Sequence, residues 1–314
     1  MLQVFKPMLA ETAAVPFSSP DWSFEIKWDG IRCLAVLNKS VNLYSRTGRN
    51  LTSVYPEVIT ALPKAFRASD VVLDGELVVL DDLGRSNYNA IQHRIGLTPA
   101  HPLAFAMALK QYPVVFYIFD LIRVNHMDMT RQTLRERRRL LQAKLNKNDT
   151  IRFSDALIGD GKGLFQQAKA SGIEGIMAKR LSSPYALGAR SANWLKIKCR
   201  KELDAVVLGW TNPEGSRQCF GAVVMGLYDE QTRRYTYIGR VGTGFAEHDL
   251  KMLSSRFTPL FNRDHYDCPS TLKNVHWVEP TIIVRVKYAS ITPHGILREP
   301  VFIGVRDDVS LNFE

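Results

Sequence analysis

The feature that most constrains the fold of this chain is a change in residue pattern near position 200. Before it, apolar runs of strand length alternate with segments of helical spacing, which is typical of an α/β domain. After it, strand-like runs predominate and a single helix-like stretch occurs, which is typical of a small β-barrel. The length of 314 residues is enough for about two domains at the usual ~100–200 residues each. We therefore expect domains at 1–200 and 203–314, joined by a polar linker at 199–202.

Individual elements can be placed in both halves. The first half should contain strands at 31–37, 41–44, 71–80, 114–121, 173–179 and 194–198, with helices at 134–145 and 163–171. The second half should contain strands at 204–210, 222–228, 235–241 and 282–288, with a helix at 247–257. The charge run ERRR at 136–139 indicates a solvated helix face rather than a DNA contact.

The charge balance bears on the kind of partner. Lys and Arg number 41 against 31 Asp and Glu, which gives a net charge of +10 and a pI near 9.5. Such an excess favours a polyanionic partner, although a merely basic protein is the alternative. The four cysteines are too far apart for a C-x-x-C pair, and neither a signal peptide nor a membrane span is present. These features predict a cytoplasmic protein.

The most informative segment is EIKWDGIR at 25–32. The amine of Lys27 could attack phosphorus only in its neutral form, and the ordinary lysine pKa of about 10.4 falls on burial or near other cations. Asp29 could orient a reacting group, and Gly30 lets the backbone approach a ligand closely. This short motif is weak evidence for a nucleophile on its own. The alternative is a lysine whose side chain simply extends along an apolar surface to reach water.

Four further segments supply what a nucleotidyl transferase needs. They are DGE at 74–76, FYIFD at 116–120, EGIMAK at 174–179 and WLKIK at 194–198. Together they offer aromatic rings for a base, carboxylates for Mg²⁺ and cations for phosphates. Each has an ordinary alternative, such as a core aromatic or a solvated strand edge. Their occurrence together, in this order, favours nucleotidyl transfer.

The order of these segments resembles the covalent nucleotidyltransferase superfamily of DNA ligases, RNA ligases and mRNA capping enzymes. The likeness is greatest to bacterial ATP-dependent DNA ligases, both small stand-alone repair enzymes and the ligase module of multifunctional end-joining enzymes. It extends from KPMLA at 6–10, through SRTGRN at 45–50, to GRVGTGF at 239–245 and GILREPVFIGVRDD at 295–308. The resemblance implies an α/β nucleotidyltransferase (adenylation) domain followed by a β-barrel OB-fold domain.

The resemblance also implies roles for individual residues. Lys27 would form the covalent bond to AMP, and Asp29 would act near the nick in the later steps. Glu174 and Glu76 would bind Mg²⁺ or Mn²⁺. Four residues would contact adenine: Glu25, Ile26, Phe119 (with Phe116 as the alternative) and Met177. Contacts to ribose and phosphate would come from Arg32, Arg46 and Glu76. The α-phosphate would be bound by Lys196 and Lys198, and the pyrophosphate by Arg298 and Arg306.

The implied function is an ATP-dependent DNA ligase that seals 5′-phosphate/3′-hydroxyl nicks in duplex DNA through a lysyl–AMP intermediate. It would act as a monomer in DNA repair, associated with the nucleoid, with repair or end-joining proteins as partners. An RNA ligase, a capping-type enzyme and an inactive nucleic-acid-binding module are the alternatives. One departure from the family pattern is Val309, which stands where a basic residue usually follows the last Arg-x-Asp motif.

Overall fold

The computed structural model describes residues 6–97, 99–213, 219–260 and 264–308. The chain divides into two compact units, Met1–Cys199 and Arg200–Glu314. The predicted linker at 199–202 is too long, because Lys201 and Glu202 already pair with Tyr288 and Lys287 in a strand of the second unit. Strand membership depends on the backbone pairing partner, which side-chain polarity does not reveal. Among the described residues no helix is long and apolar enough to cross a bilayer.

The first unit contains two sheets and five helices within its described residues. Its elements are β1 (Leu9–Thr12), β2 (Ser19–Ile26), β3 (Ile31–Leu37), β4 (Val41–Ser45), α1 (Pro56–Ala65), β5 (Val71–Val79), α2 (Tyr88–Gln92), α3 (Pro102–Gln111), β6 (Val114–Val124), β7 (Met127–Asp128), α4 (Leu134–Lys144), β8 (Ile151–Phe153), β9 (Ala156–Gly159), α5 (Gly161–Ala170), β10 (Gly175–Arg180) and β11 (Arg190–Lys198). One sheet has the order β1-β11-β10-β2-β9. The other has the order β4-β3-β5-β6-β7, with β8 beside β6.

Strand β5 is the centre of the six-stranded sheet. It pairs antiparallel with β3 and β6 and is buried along almost its whole length, which explains its near-continuous apolar sequence. One face of this sheet packs on α1 and α4 through residues such as Leu62 and Leu141. The other face packs against residues of the five-stranded sheet, where Phe119 meets Trp194. A cleft between the two sheets is thereby lined by side chains of both.

Helix α4 begins with a capping box, in which Thr133 and Glu136 satisfy each other's backbone N–H groups. The prediction of a solvated ERRR face is wrong for two of its arginines. Arg137 is fully buried and Arg138 is 8% exposed, whereas Arg139 is exposed. The two buried arginines pair with carboxylates on strands far away in sequence, so helical periodicity could not indicate that they are buried.

The second unit is mostly β in its described part, as predicted. Its elements are β12 (Lys201–Thr211), β13 (Val223–Asp229), β14 (Arg234–Val241), α6 (Glu247–Arg256), β15 (Tyr266–Asp267), β16 (Val275–Trp277), β17 (Ile283–Tyr288), β18 (Ser290–Ile291), β19 (Leu297–Arg298) and β20 (Val301–Val305). Seven strands form one sheet of order β15-β14-β13-β12-β17-β20, with β16 beside β12. Leu253 of α6 packs into an apolar core with Val207, Val284 and Phe302.

Candidate active site

A single cleft in the first unit gathers most of the residues that the sequence singled out. Ten of them line it: Glu25, Ile26, Lys27, Arg32, Arg46, Glu76, Phe119, Met177, Lys196 and Lys198. They lie on or next to β2, β3, β4, β5, β6, β10 and β11, so the cleft is built from both sheets. Six further lining residues were given no role from the sequence: Leu9, Ala10, Trp28, Lys179, Arg190 and Trp194.

Lys27 directly follows the last residue of β2, and its backbone N–H donates to the carbonyl of Gly175 at 2.9 Å. Its ammonium group pairs with Glu174, whose other carboxylate oxygen lies 3.7 Å from Lys198 Nζ. Two glycines permit this arrangement. A Cβ at Gly30 would overlap the carbonyl oxygen of Leu77. Gly175 has a φ of 154°, and a Cβ at this position would overlap the carbonyl oxygen of Ile197.

The DGE segment places two acidic side chains on one face of β5, as their spacing predicts. Asp74 is fully buried and accepts two hydrogen bonds of 2.6 Å from Arg32, and Tyr185 donates a third. Glu76 lies opposite Arg32 in the β3–β5 register. Burial raises the pKa of Glu76 to about 7, although Arg32 and Lys27 oppose the rise.

Of the two candidate rings, Phe119 lines the cleft and Phe116 does not. Phe116 belongs to the core on the helix-covered face of the sheet. Lys179, two residues beyond Met177 on β10, places its Nζ 3.9 Å from the Phe119 ring centroid. Burial lowers the pKa of Lys179, and the nearby carboxylate of Glu25 opposes this. Lys179 ends the EGIMAK segment, and strand alternation alone could have predicted its position in the cleft, because a side chain at i+2 shares the face of Met177.

Glu25 is only 3% exposed, and both of its carboxylate oxygens already have cationic partners. One oxygen pairs with Lys179. The other accepts a hydrogen bond of 2.9 Å from Arg138 of helix α4. Arg138 is thus a partner of the cleft residue Glu25 that sequence reasoning missed, because 113 positions separate the two in the chain.

Four predicted residues are not part of the cleft lining: Glu174, which contacts the lining residues Lys27 and Lys198, and three that lie elsewhere. Asp29 does not line the cleft, and its backbone N–H donates to Ser86 Oγ at 2.9 Å. Arg298 and Arg306 belong to the second unit. There the Arg306 guanidinium donates to Asp204 at 2.6 Å and to Asp308 at 2.7 and 2.8 Å. The departure at Val309 lies outside the described residues.

The carboxylates available for a metal ion are few. No cluster of three or more His, Cys, Asp or Glu side chains suited to a metal occurs within the described ranges. Glu76 and Glu174 are near enough that the charge of Glu174 contributes to the raised pKa of Glu76. Because Mg²⁺ commonly binds one or two carboxylates and completes its shell with water and substrate phosphates, this pair fits such an ion.

Comparison with known proteins identifies the family. The family model described as "ATP dependent DNA ligase domain" matches residues 7–198, and "ATP dependent DNA ligase C terminal region" matches residues 216–309. The chain is 36% identical over 296 residues to the multifunctional non-homologous end joining protein LigD of Pseudomonas aeruginosa, covering 92% of this chain and 34% of that protein. It is 32% identical over 311 residues to LigD of Mycolicibacterium smegmatis, covering 97% of this chain and 38% of that protein.

The chain therefore spans between 34% and 38% of the length of these two relatives. Among solved structures it is similar to the ligase domain of LigD from M. tuberculosis, with 30% identity, a TM-score of 0.55 and coverage of 98% of this chain and 96% of that one. These matches confirm the predicted fold class, an adenylation domain followed by an OB-fold domain. They also confirm the resemblance inferred from the motifs, and the chain belongs to the family of ATP-dependent DNA ligases.

Proposed function

We propose that this chain uses ATP to seal 5′-phosphate/3′-hydroxyl nicks in duplex DNA through a covalent AMP bond to Lys27. The observation that carries the proposal is the convergence of a lysine amine, two carboxylates, a ring and two further lysines on one cleft. Such a site can supply the positioning and charge neutralisation that phosphoryl transfer requires.

In the first step, Lys27 Nζ forms a bond to the α-phosphorus of ATP, and the bond to the pyrophosphate oxygen breaks. Glu174 contacts Lys27 Nζ, so it holds the amine at the cleft and is placed to accept the proton that the ammonium group must lose. Lys196 and Lys198 line the same cleft and supply positive charge for the α-phosphate. Arg298 and Arg306 would contact the leaving pyrophosphate.

The base would stack on Phe119 with Met177 on its other face, and Glu25 would accept a hydrogen bond from the adenine amino group. The backbone at Ile26 would contact the edge of the ring. Arg32, Arg46 and Glu76 would contact ribose and phosphate. Glu76 and Glu174 would hold Mg²⁺ or Mn²⁺, which supplies further positive charge to the triphosphate when bound.

In the second step the AMP group passes from Lys27 to the 5′-phosphate at the nick. In the third step the 3′-hydroxyl attacks that phosphate and AMP leaves, with Asp29 acting near the nick. The net charge of +10 suits a DNA partner. We place the activity in DNA repair at the nucleoid, with the chain acting as a monomer alongside repair or end-joining proteins, since the LigD relatives are named for end joining.

The test is labelling with ATP that carries radioactive α-phosphorus, followed by denaturation. Lys27→Ala should lose all covalent label and should still seal a nick that already carries a 5′-adenylate. Lys39→Ala, at an exposed lysine between β3 and β4, is the matched control and should label normally. Label retained by Lys27→Ala would refute the assignment of the nucleophile, and equal wild-type labelling by GTP would favour a capping-type enzyme.

A further inference from the structure

Arg138 connects the two groups that are proposed to contact the base. Its Nη1 donates to Glu25 Oε2 at 2.9 Å and to the carbonyl oxygen of Phe119 at 3.1 Å. Its Nη2 donates to the carbonyl oxygen of Ser154 at 2.6 Å. Because Arg138 is only 8% exposed, water has little access to compete for these hydrogen bonds.

The connection crosses from one sheet to the other. Glu25 lies on β2 of the five-stranded sheet, and Phe119 lies on β6 of the six-stranded sheet. A rigid, planar guanidinium that is bonded to both fixes the distance between the carboxylate and the ring-bearing backbone. Ser154 extends the network to the nucleophile segment, because its hydroxyl accepts a hydrogen bond of 3.1 Å from Trp28 Nε1.

The carboxylate of Glu25 retains capacity for a ligand in spite of its two cationic partners. A carboxylate has about four acceptor positions, of which Arg138 and Lys179 take one each. An ionised carboxylate accepts hydrogen bonds and cannot donate them, so it matches a base edge with an amino group and opposes one with a carbonyl group.

We propose that Arg138 is a positioning residue for nucleotide selection, which holds the Glu25 carboxylate in register with Phe119 so that the site takes a purine with a 6-amino group. This inference rests on the proposed function and assigns part of its specificity to helix α4. The residue acts through Glu25 and Phe119.

The helix supplies two matched controls. Arg137 is also buried, but its guanidinium donates to Asp120, the carbonyl of Gln132 and the carbonyl of Ser183 rather than to Glu25. Arg139 is exposed. Arg137→Lys therefore reports damage to the helix and its packing, and Arg139→Lys reports the loss of a guanidinium on the surface.

The experiment measures single-turnover charging of the full chain over a range of nucleotide concentrations. Two nucleotides are compared, ATP and purine riboside triphosphate, which lacks the 6-amino group. Arg138→Lys should raise the half-saturating ATP concentration about tenfold, as expected for one buried charged hydrogen bond, and change the maximal rate less than about threefold. The half-saturating concentration of the analogue should change less than about twofold, so the preference for ATP should fall.

Glu25→Ala provides a second variant should Arg138→Lys not fold. It removes the acceptor for the 6-amino group and keeps the Arg138 bonds to the two carbonyl groups, so it should lose the preference for ATP over the analogue to a similar extent. Preference retained in Glu25→Ala, an equal loss for both nucleotides in Arg138→Lys, or the same loss of preference in Arg137→Lys would each overturn the inference. Absence of ATP labelling in the wild-type chain would instead overturn the proposed function.

Discussion

The buried arginine Arg137 offers the sharpest test of how α4 packs. If helix α4 presented a solvated charged face, Arg137→Met would change the free energy of unfolding by no more than about 0.5 kcal/mol, as for most surface substitutions. In the structure the side chain is fully buried and donates to Asp120 at 2.7 and 2.8 Å, and Asp120 is itself fully buried. Removing the arginine therefore leaves a carboxylate in the interior without its cation.

The size of the effect follows from that loss. Breaking a buried ion pair by removing one partner costs about 3–5 kcal/mol, because the remaining charge is left uncompensated. Asp120 would retain a hydrogen bond of 2.8 Å from the backbone N–H of Leu121, and the carbonyls of Gln132 and Ser183 would lose their donor. At about 2–4 °C per kcal/mol for a unit of this size, Tm of the affected transition should fall by roughly 6–20 °C.

Differential scanning calorimetry of the full chain is the assay, with Arg139→Met as the matched exposed control. The double variant Asp120→Leu/Arg137→Met should recover at least about half of the loss, since it leaves no unpaired charge. If Arg137→Met and Arg139→Met lower Tm equally, the buried pair does not exist in solution. If the double variant is as unstable as the sum of its single variants, the loss comes from packing and not from charge.

Three further predictions concern charge. Ionising Glu76 should destabilise the fold, because folding raises the pKa of this group from 4.5 to about 7. In metal-free buffer, the unfolding free energy of Glu76→Gln should therefore match that of the wild type near pH 4 and exceed it by up to about 3 kcal/mol at pH 8. A difference between the two proteins that does not vary with pH would contradict this. Nick binding should weaken with salt with a log–log slope of about −0.9 per phosphate contact while self-adenylation persists, and a parallel decline of sealing and charging across a NaCl series would count against phosphate contacts as the main source of affinity. Asp204→Asn removes the negative charge and one of the two acceptor oxygens that Arg306 and Arg285 share, so it should slow charging by ATP about tenfold and leave sealing of a pre-adenylated nick within about twofold. Faster charging would mean that Asp204 restrains Arg306.

Local patterns were enough to predict the parts of the site that depend on strand alternation. The spacing of Asp74 and Glu76 placed both on one face of β5, and the two lysines of β11 followed the same rule. Phe116 and Phe119 are three residues apart on β6, so alternation places them on opposite faces. Which face borders the cleft depends on the second sheet, and no property of the strand itself indicates that.

Sequence-remote ion pairs were beyond the reach of such patterns. Arg137 pairs with a residue 17 positions away and Arg138 with one 113 positions away. Hydropathy cannot distinguish an arginine in water from an arginine that is paired with a buried carboxylate. The hydrophobic periodicity of a helix therefore does not show whether its arginines lie on the inner or the outer face. The interpretation of 136–139 as a solvated face failed at Arg137 and Arg138 for that reason.

The buried carboxylates around the cleft share one arrangement, which connects the stability of the cleft to its chemistry. Asp74, Asp120 and Glu25 each have an arginine partner, namely Arg32, Arg137 and Arg138. Because these bonds form within the unit itself, each carboxylate is already oriented before a nucleotide enters. Nucleotide binding then carries no free-energy cost for reorienting the carboxylate. Glu25 differs from the other two because it lines the cleft, so its pairing with Arg138 acts on ligand choice, whereas the pairing of Asp120 with Arg137 acts mainly on folding. Substitutions in α4 should therefore separate into those that change nucleotide preference and those that change only Tm, although the two arginines are adjacent in the chain.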